Sequence, residues 1–77
     1  NAAIISPREL FIEALQKGAV SIILLHNHPS GDPTPSKEDI IITKQIQEAG
    51  ELLGVHLLDH IIIGNNCYVS MREKKIF

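Results

Sequence analysis

Two histidines one residue apart, His26 and His28, stand at the end of an aliphatic run. A serine and an aspartate, Ser36 and Asp39, follow across a bend rich in proline and glycine. On an extended backbone, residues two apart point to the same side, so both imidazoles face one volume while Asn27 points away. Pro29 keeps His28 extended, because the residue before proline is pushed out of the helical region. The loop from Asn27 to Pro35 is long enough to return the chain and place Asp39, in the first turn of the next helix, against the two rings. Two neutral imidazoles and one carboxylate, with a fourth position left for water, form the donor set of a catalytic zinc site. A closed structural site would use four protein ligands, and a hard cation would want more oxygens. His26, His28 and Asp39 are therefore the candidate ligands of one Zn2+. Zinc brings the pKa of a bound water down to about 7, which makes a nucleophile available at neutral pH. Ser36, as the helix N-cap, accepts from a backbone N–H near Asp39 and keeps its own proton to donate to an oxyanion. The positive end of the helix faces the same place and favours negative charge there.

These side chains need a strand, a loop and a helix start to carry them. Val20 to Leu25 is short, branched and bounded by turn signals, which predicts a central strand covered on both faces, with His26 at its carboxyl end. Ser36-Lys37-Glu38-Asp39 has the pattern of a helix start. Ile42, Ile46, Ala49 and Leu53 mark the buried stripe of a long helix that ends at Gly54. Upstream, Ala2 to Ile5 reads as a short strand. Ser6-Pro7-Arg8-Glu9 then opens a helix from about Pro7 to Lys17, which buries Leu10, Phe11, Ala14 and Leu15 and stops at Gly18. Val55 to Ile63 predicts another strand, Gly64-Asn65-Asn66 a tight turn, Cys67 to Ser70 a final strand, and Lys74-Lys75 a frayed surface tail. The order strand, helix, strand, helix, strand, strand predicts an α/β domain with a mixed sheet and flanking helices. Ligands in such sheets sit outside the carboxyl ends of the strands, where His26 lies.

The remaining polar residues have more ordinary readings. Asp32 in Ser-Gly-Asp-Pro is turn chemistry, His56 an exposed strand residue, and Cys67 a small packed one. Adjacent strand residues face opposite ways, so only one of Asp59 and His60 can look toward the site. Asp59 is the better candidate to orient a ligand imidazole, the alternative being a hydrogen bond that ties strand to loop.

The chain has 77 residues and a net charge of -2, with two Phe, one Tyr and no Trp. That composition lacks the basic footprint and aromatic platforms of a nucleic-acid surface, which disfavours DNA binding by these residues without excluding it for a longer parent. The single Cys67 permits neither an internal disulfide nor a cysteine zinc framework, so a reducing, cytoplasmic setting is expected. No apolar run has the length of a membrane span. The opening Asn1-Ala2-Ala3-Ile4-Ile5 suggests that these residues are the C-terminal part of a domain whose core is completed elsewhere. Oligomeric state is not legible.

The residues also carry a family resemblance. His26-Asn27-His28-Pro29, Ser36 and Asp39 match the His-x-His-Pro, Ser-x-x-Asp pattern of the JAMM (MPN+) zinc metalloproteases. SPRE at the first helix, HNHPSGDPTPS at the loop and LLDHIIIG near the end resemble the RadC family of bacterial JAB-domain proteins, over nearly the whole chain. The resemblance implies a JAB/MPN fold related to cytidine deaminases, with His26, His28 and Asp39 as zinc ligands and Ser36 as the hydroxyl that steadies a tetrahedral intermediate. It implies a hydrolase in which metal-activated water attacks an amide or isopeptide bond, or alternatively a non-catalytic JAB module in protein or DNA-repair complexes. The family's glutamate general base lies well upstream of the His-x-His. Only Glu9 and Glu13 precede it here, both in the first helix, so the base is expected on a segment outside these residues. The letters His-Asn-His do not indicate a nuclease, since that name describes a dispersed constellation.

Overall fold

A computed structural model describes residues 6–77, so the strand expected at Ala2–Ile5 lies outside the described residues. Helix α1 spans Pro7–Gln16, strand β1 Ser21–Asn27, helix α2 Lys37–Leu53, strand β2 His56–Ile63 and strand β3 Tyr68–Ser70. From the first helix onward this is the predicted order. Ser6 caps α1 by accepting from the Glu9 amide at 3.3 Å, with Pro7 in the first helical position. At α2 the cap is reciprocal: Ser36 Oγ accepts from the Asp39 N–H at 3.1 Å, and the Ser36 N–H donates to Asp39 Oδ2 at 2.8 Å. This box satisfies two amides that a helix start otherwise leaves unpaired. Gly54 ends α2 in the left-handed region at φ 78°, a conformation that glycine adopts without a Cβ penalty.

The sheet has the order β1-β2-β3, with β1 parallel and β3 antiparallel to β2. Among the described residues β2 is the central strand, and β1, expected to be central and covered on both faces, has one sheet neighbour and one covered face. The reason lies in pairing: β2 takes the crossover strand on one side and its hairpin partner on the other. The aliphatic run in β1 does put apolar groups on both faces. Ile22, Leu24 and His26 face the helices, whereas Ile23 and Leu25 are 54% and 68% exposed.

A register jump shapes β2. Ile22 pairs with Leu57 but Ile23 pairs with Asp59, which leaves Leu58 as an extra residue. A bulge of this kind changes the phase of a strand. Leu57, His60 and Ile62 therefore share the inner face, while Asp59 and Ile63 turn the other way.

Phe11 and Ala14 of α1, Leu24 of β1, Ile46 of α2, Val55 and Leu57 of β2 and its lead-in form one core, so both helices lie on the same face of the sheet. Burying a side chain such as Ile46 or Leu57 contributes roughly 1.5–3 kcal/mol. The stripe expected on α2 is corrected by a rotation. The fully buried positions are Asp39, Thr43, Ile46 and Gly50, with Ile42 and Ala49 beside them and Leu53 largely exposed. Gly50 stands there because a Cβ would lie 2.2 Å from the Val55 carbonyl oxygen. Leu15, expected in the core, is exposed at the rim of α1. The C-terminal residues are not a frayed tail: the Ile76 N–H donates to the Met71 carbonyl at 3.0 Å, and half-buried Phe77 packs on the core beneath the Arg72 guanidinium. Cys67 is exposed and free rather than packed, because it lies in the turn just before β3. No helix of the described residues is long and apolar enough to cross a membrane.

Candidate metal centre

His26 is the last inward residue of β1, and its ring is buried at the base of the site. His28 sits beyond the strand, and its N–H donates to the Ile63 carbonyl at 2.9 Å, so the alternation of β1 continues past its end. The loop that follows is clamped to the turn between β2 and β3. The Asn65 N–H donates to the Gly31 carbonyl at 2.8 Å, and Gly64 lies so close that a Cβ would fall 2.3 Å from the same oxygen. Gly31 itself turns at φ 89°. Asp32 behaves as turn chemistry predicts, with Oδ1 accepting from the Thr34 N–H at 3.0 Å and the Thr34 hydroxyl at 2.7 Å. Those bonds hold its carboxyl below the usual range. Its carbonyl has a second use, accepting from His28 Nδ1–H at 2.9 Å. A carbonyl can only accept, so Nδ1 carries the proton, and Nε2 of the neutral ring keeps a lone pair free for a metal.

That nitrogen lies 3.0 Å from Asp39 Oδ2, and His26 Nδ1 lies 3.2 Å from Asp39 Oδ1. One ligand atom from each of the three residues falls within 4.8 Å of the other two. The strand end and the helix start thus meet as the sequence predicts. Burial pushes the Asp39 carboxyl up, but its bonds to Ser36, that to the backbone N–H first, and the neighbouring His26 and His28 rings together hold it below the ordinary carboxylate value. The position of Asp39 in the first turn adds the positive end of α2 in the same sense.

The donor chemistry fits a cation. With Nδ1–H of His28 committed to Asp32, a neutral ring turns a lone pair toward a carboxylate, and two acceptors at that distance need a proton or a metal between them. His26 Nδ1 is buried and is off the line a hydrogen bond to Asp39 requires, so it has no hydrogen-bond partner. A buried lone pair beside a carboxylate is what a borderline-soft ion such as Zn2+ would satisfy.

A cleft of about 250 Å3 opens over the cluster, lined among others by Ser30, Ser36 and Glu38 with the three candidate ligands. Ser36 lines the cleft, with Oγ accepting from the Asp39 N–H at 3.1 Å. Glu9 and Glu13 do not line it: both are exposed on α1, where Glu13 pairs with Lys17 at 3.2 Å. Glu38 does line it, a carboxylate that a search for upstream acids passes over although it adjoins Asp39.

Of the adjacent pair on β2, His60 and not Asp59 looks inward. Asp59 accepts from the His60 N–H at 2.7 Å, the Arg72 N–H at 3.0 Å and the Ser70 hydroxyl, and so ties β2 to the segment after β3. It touches neither candidate ligand ring. Burial pushes the Asp59 carboxyl up, and the Ser70 bond, the two amides and the Arg72 charge more than offset it, holding the group low. His60 is fully buried, stacks on the His26 ring with centroids 5.8 Å apart, and lies 2.6 Å from Thr43 Oγ1 through Nδ1. His56 is exposed, as expected.

A mixed sheet carrying a histidine pair at a strand end, closed by a capping aspartate, is the architecture of JAB-type domains. The RadC-like JAB domain profile matches residues 1–76, and the chain belongs to that family. It is 65% identical over 74 residues to a UPF0758 protein of Clostridium botulinum (strain Hall), covering 96% of this chain and 32% of that protein. It is 57% identical over 77 residues to a UPF0758 protein of Shouchella clausii (strain KSM-K16), covering 100% of this chain and 34% of that protein. The chain therefore spans about a third of the length of the curated relatives it matches.

Proposed function

We propose that this domain is the metal-binding part of a zinc-dependent hydrolase of JAMM type acting on an amide or isopeptide bond. The observation that carries the reading is the meeting of three electron-rich groups, His26, His28 and Asp39, with one buried histidine nitrogen left unpartnered. Zinc held by these residues would supply Lewis acidity toward a water molecule and a substrate carbonyl. The chain's own groups do the rest. The Asp32 carbonyl keeps His28 in the tautomer that frees Nε2. The Ser36 amide and the α2 terminus keep Asp39 ionised. The Ser36 hydroxyl stands at the cleft wall with a proton to donate where an oxyanion would develop. Removing one such donor in a hydrolase typically lowers kcat by about 100- to 1000-fold.

For partners the same reading proposes a peptide or protein substrate in a cytoplasmic setting, and the charge pattern of these 77 residues does not support nucleic-acid binding by this part. A second reading, a non-catalytic JAB module, turns on whether a glutamate of the longer protein faces His26 and His28, since Glu9 and Glu13 stand on α1 away from the cleft. The two separate in one experiment on the longer protein. Zinc content is measured by atomic emission for the wild type and His26→Ala, with peptidase and nuclease assays run on both. Stoichiometric zinc lost in the variant, with peptide hydrolysis lost alongside it, is the expected outcome. Equal zinc in both proteins ends the metal reading, and zinc without hydrolysis favours the binding module.

A further inference from the structure

Beneath the three candidate ligands lie two more buried polar residues to which neither the site chemistry nor the core gives a task. Thr43 and His60 are each 0% exposed, and they meet at 2.6 Å beside the fully buried Met71, whose Sδ lies 3.7 Å from the Thr43 hydroxyl. Burying polar groups among aliphatic ones costs free energy unless each is paired, so an apolar pair of the same size would be the simpler way to fill this space. The hydrogen-bond directions show what they do. Thr43 Oγ1 donates to the Asp39 carbonyl at 2.6 Å, and with its proton spent there it accepts from His60 Nδ1–H, which leaves His60 Nε2 as a buried nitrogen without a partner. The chain of donors runs from β2 through α2 to the residue that closes the site. The other end of the arrangement reaches a second candidate ligand, because the His60 ring lies 28° from parallel with that of His26.

We propose that Thr43 and His60 are positioning residues for the metal centre, which hold the backbone of Asp39 and the ring of His26 in the arrangement that brings their ligand atoms together. The inference rests on the zinc reading above and deepens it. It assigns the pair no contact with substrate. The bulge at Leu58 belongs to the same device: without the extra residue, strand alternation from Leu57 would turn His60 outward and Asp59 inward. An i to i−4 bond from a threonine slightly loosens a helix interior. Here it falls within the turn that must present Asp39, so its effect is spent on the one segment whose exact path the ligand set needs.

The test uses the longer protein. Zinc affinity is measured by chelator competition for the wild type, Thr43→Val, Thr43→Ser and His60→Phe, and the Co2+ absorption spectrum and apo-protein melting temperature are recorded for each. Groups that orient metal ligands typically change affinity by about 10- to 100-fold. Thr43→Val, which keeps the shape and removes the hydroxyl, is expected to weaken zinc by that factor and to alter the Co2+ ligand-field bands, and Thr43→Ser to restore both. His60→Phe keeps the stacked ring and removes the donor, so it reports on the same chain from the other end if Thr43→Val fails to fold. A lower melting temperature with unchanged zinc affinity and unchanged Co2+ bands in both Thr43→Val and His60→Phe overturns the inference. Absence of zinc from the wild type overturns the underlying reading and this one with it, whereas tight zinc in wild type and variants alike removes this one alone.

Discussion

A carboxylate at the third position of a helix ordinarily serves the cap and nothing more. Asp39 turns Oδ2 to the Ser36 amide and His28 and Oδ1 toward His26, so a single side chain both starts α2 and completes the donor set. Asp39→Asn keeps the shape and an acceptor oxygen. Its expected cost is about 1 kcal/mol of stability from the weakened cap, accompanied by loss of detectable zinc in a chelator titration. Asp59 makes a cleaner case for pH, because it stands apart from the cluster. Its folded pKa is held below the ordinary carboxylate value. On acidification the unfolded chain takes up the proton first, so the contribution of Asp59 is fully present above the ordinary value and is lost as pH falls through the folded one. Urea midpoints at neutral pH and in steps below pH 5 are expected to show Asp59→Asn less stable than wild type by about 1 kcal/mol at pH 7. The two curves should converge toward pH 2. A constant gap across the series would mean that the ionised form contributes nothing.

At the scale of the element, α2 is organised around its first turn. Its buried line runs Asp39, Thr43, Ile46, Gly50, and that line is one carboxylate, one hydroxyl, one aliphatic group and one glycine. A search for apolar periodicity instead finds Ile42, Ile46, Ala49 and Leu53, because it counts methyl groups and cannot see that the helix must rotate to bring a carboxylate inward. That His26, His28 and Asp39 come together was legible, since each placement follows from a local rule: strand alternation for the two histidines, the residue before proline, and the capping box for Asp39. The bulge at Leu58 was not, as Val55 to Ile63 has no glycine or proline to mark it, and alternation alone does not tell which of Asp59 and His60 turns inward. Gly50 gives the element its prediction. In an exposed helix interior, alanine for glycine stabilises by up to about 1 kcal/mol. Here the added Cβ would meet the Val55 carbonyl, and the backbone of the α2–β2 junction must shift. Gly50→Ala is expected to lower stability by about 1–3 kcal/mol, read as a drop in melting temperature, with the sign opposite to helix propensity.

At the scale of the molecule, the two faces of the sheet differ in what lies on them. The inner face is sealed by both helices, while the outer face presents Ile23, Leu25 and Ile63, with Tyr68 at the hairpin end 63% exposed. The aliphatic run of β1 led to the expectation of cover on both sides, and its chemistry was read correctly: both faces are apolar, though the described residues cover only one. Contiguous exposed apolar surface beyond a few hundred Å2 drives association in water, and β1 adds an edge whose amides and carbonyls on one side have no sheet partner among the described residues. The 77-residue polypeptide by itself is therefore expected to self-associate at micromolar concentration. Sedimentation velocity checks this, with Leu25→Lys and Tyr68→Lys combined to break the patch. Both side chains are exposed, so the double variant should change the unfolding midpoint by no more than about 0.5 kcal/mol while the sedimentation coefficient falls to that of a monomer. Zinc affinity should be unchanged, because His26, His28 and Asp39 look to the opposite side of the strand. A variant that stays associated would place the contact elsewhere, and one that loses zinc would show that the two faces are mechanically linked through β1.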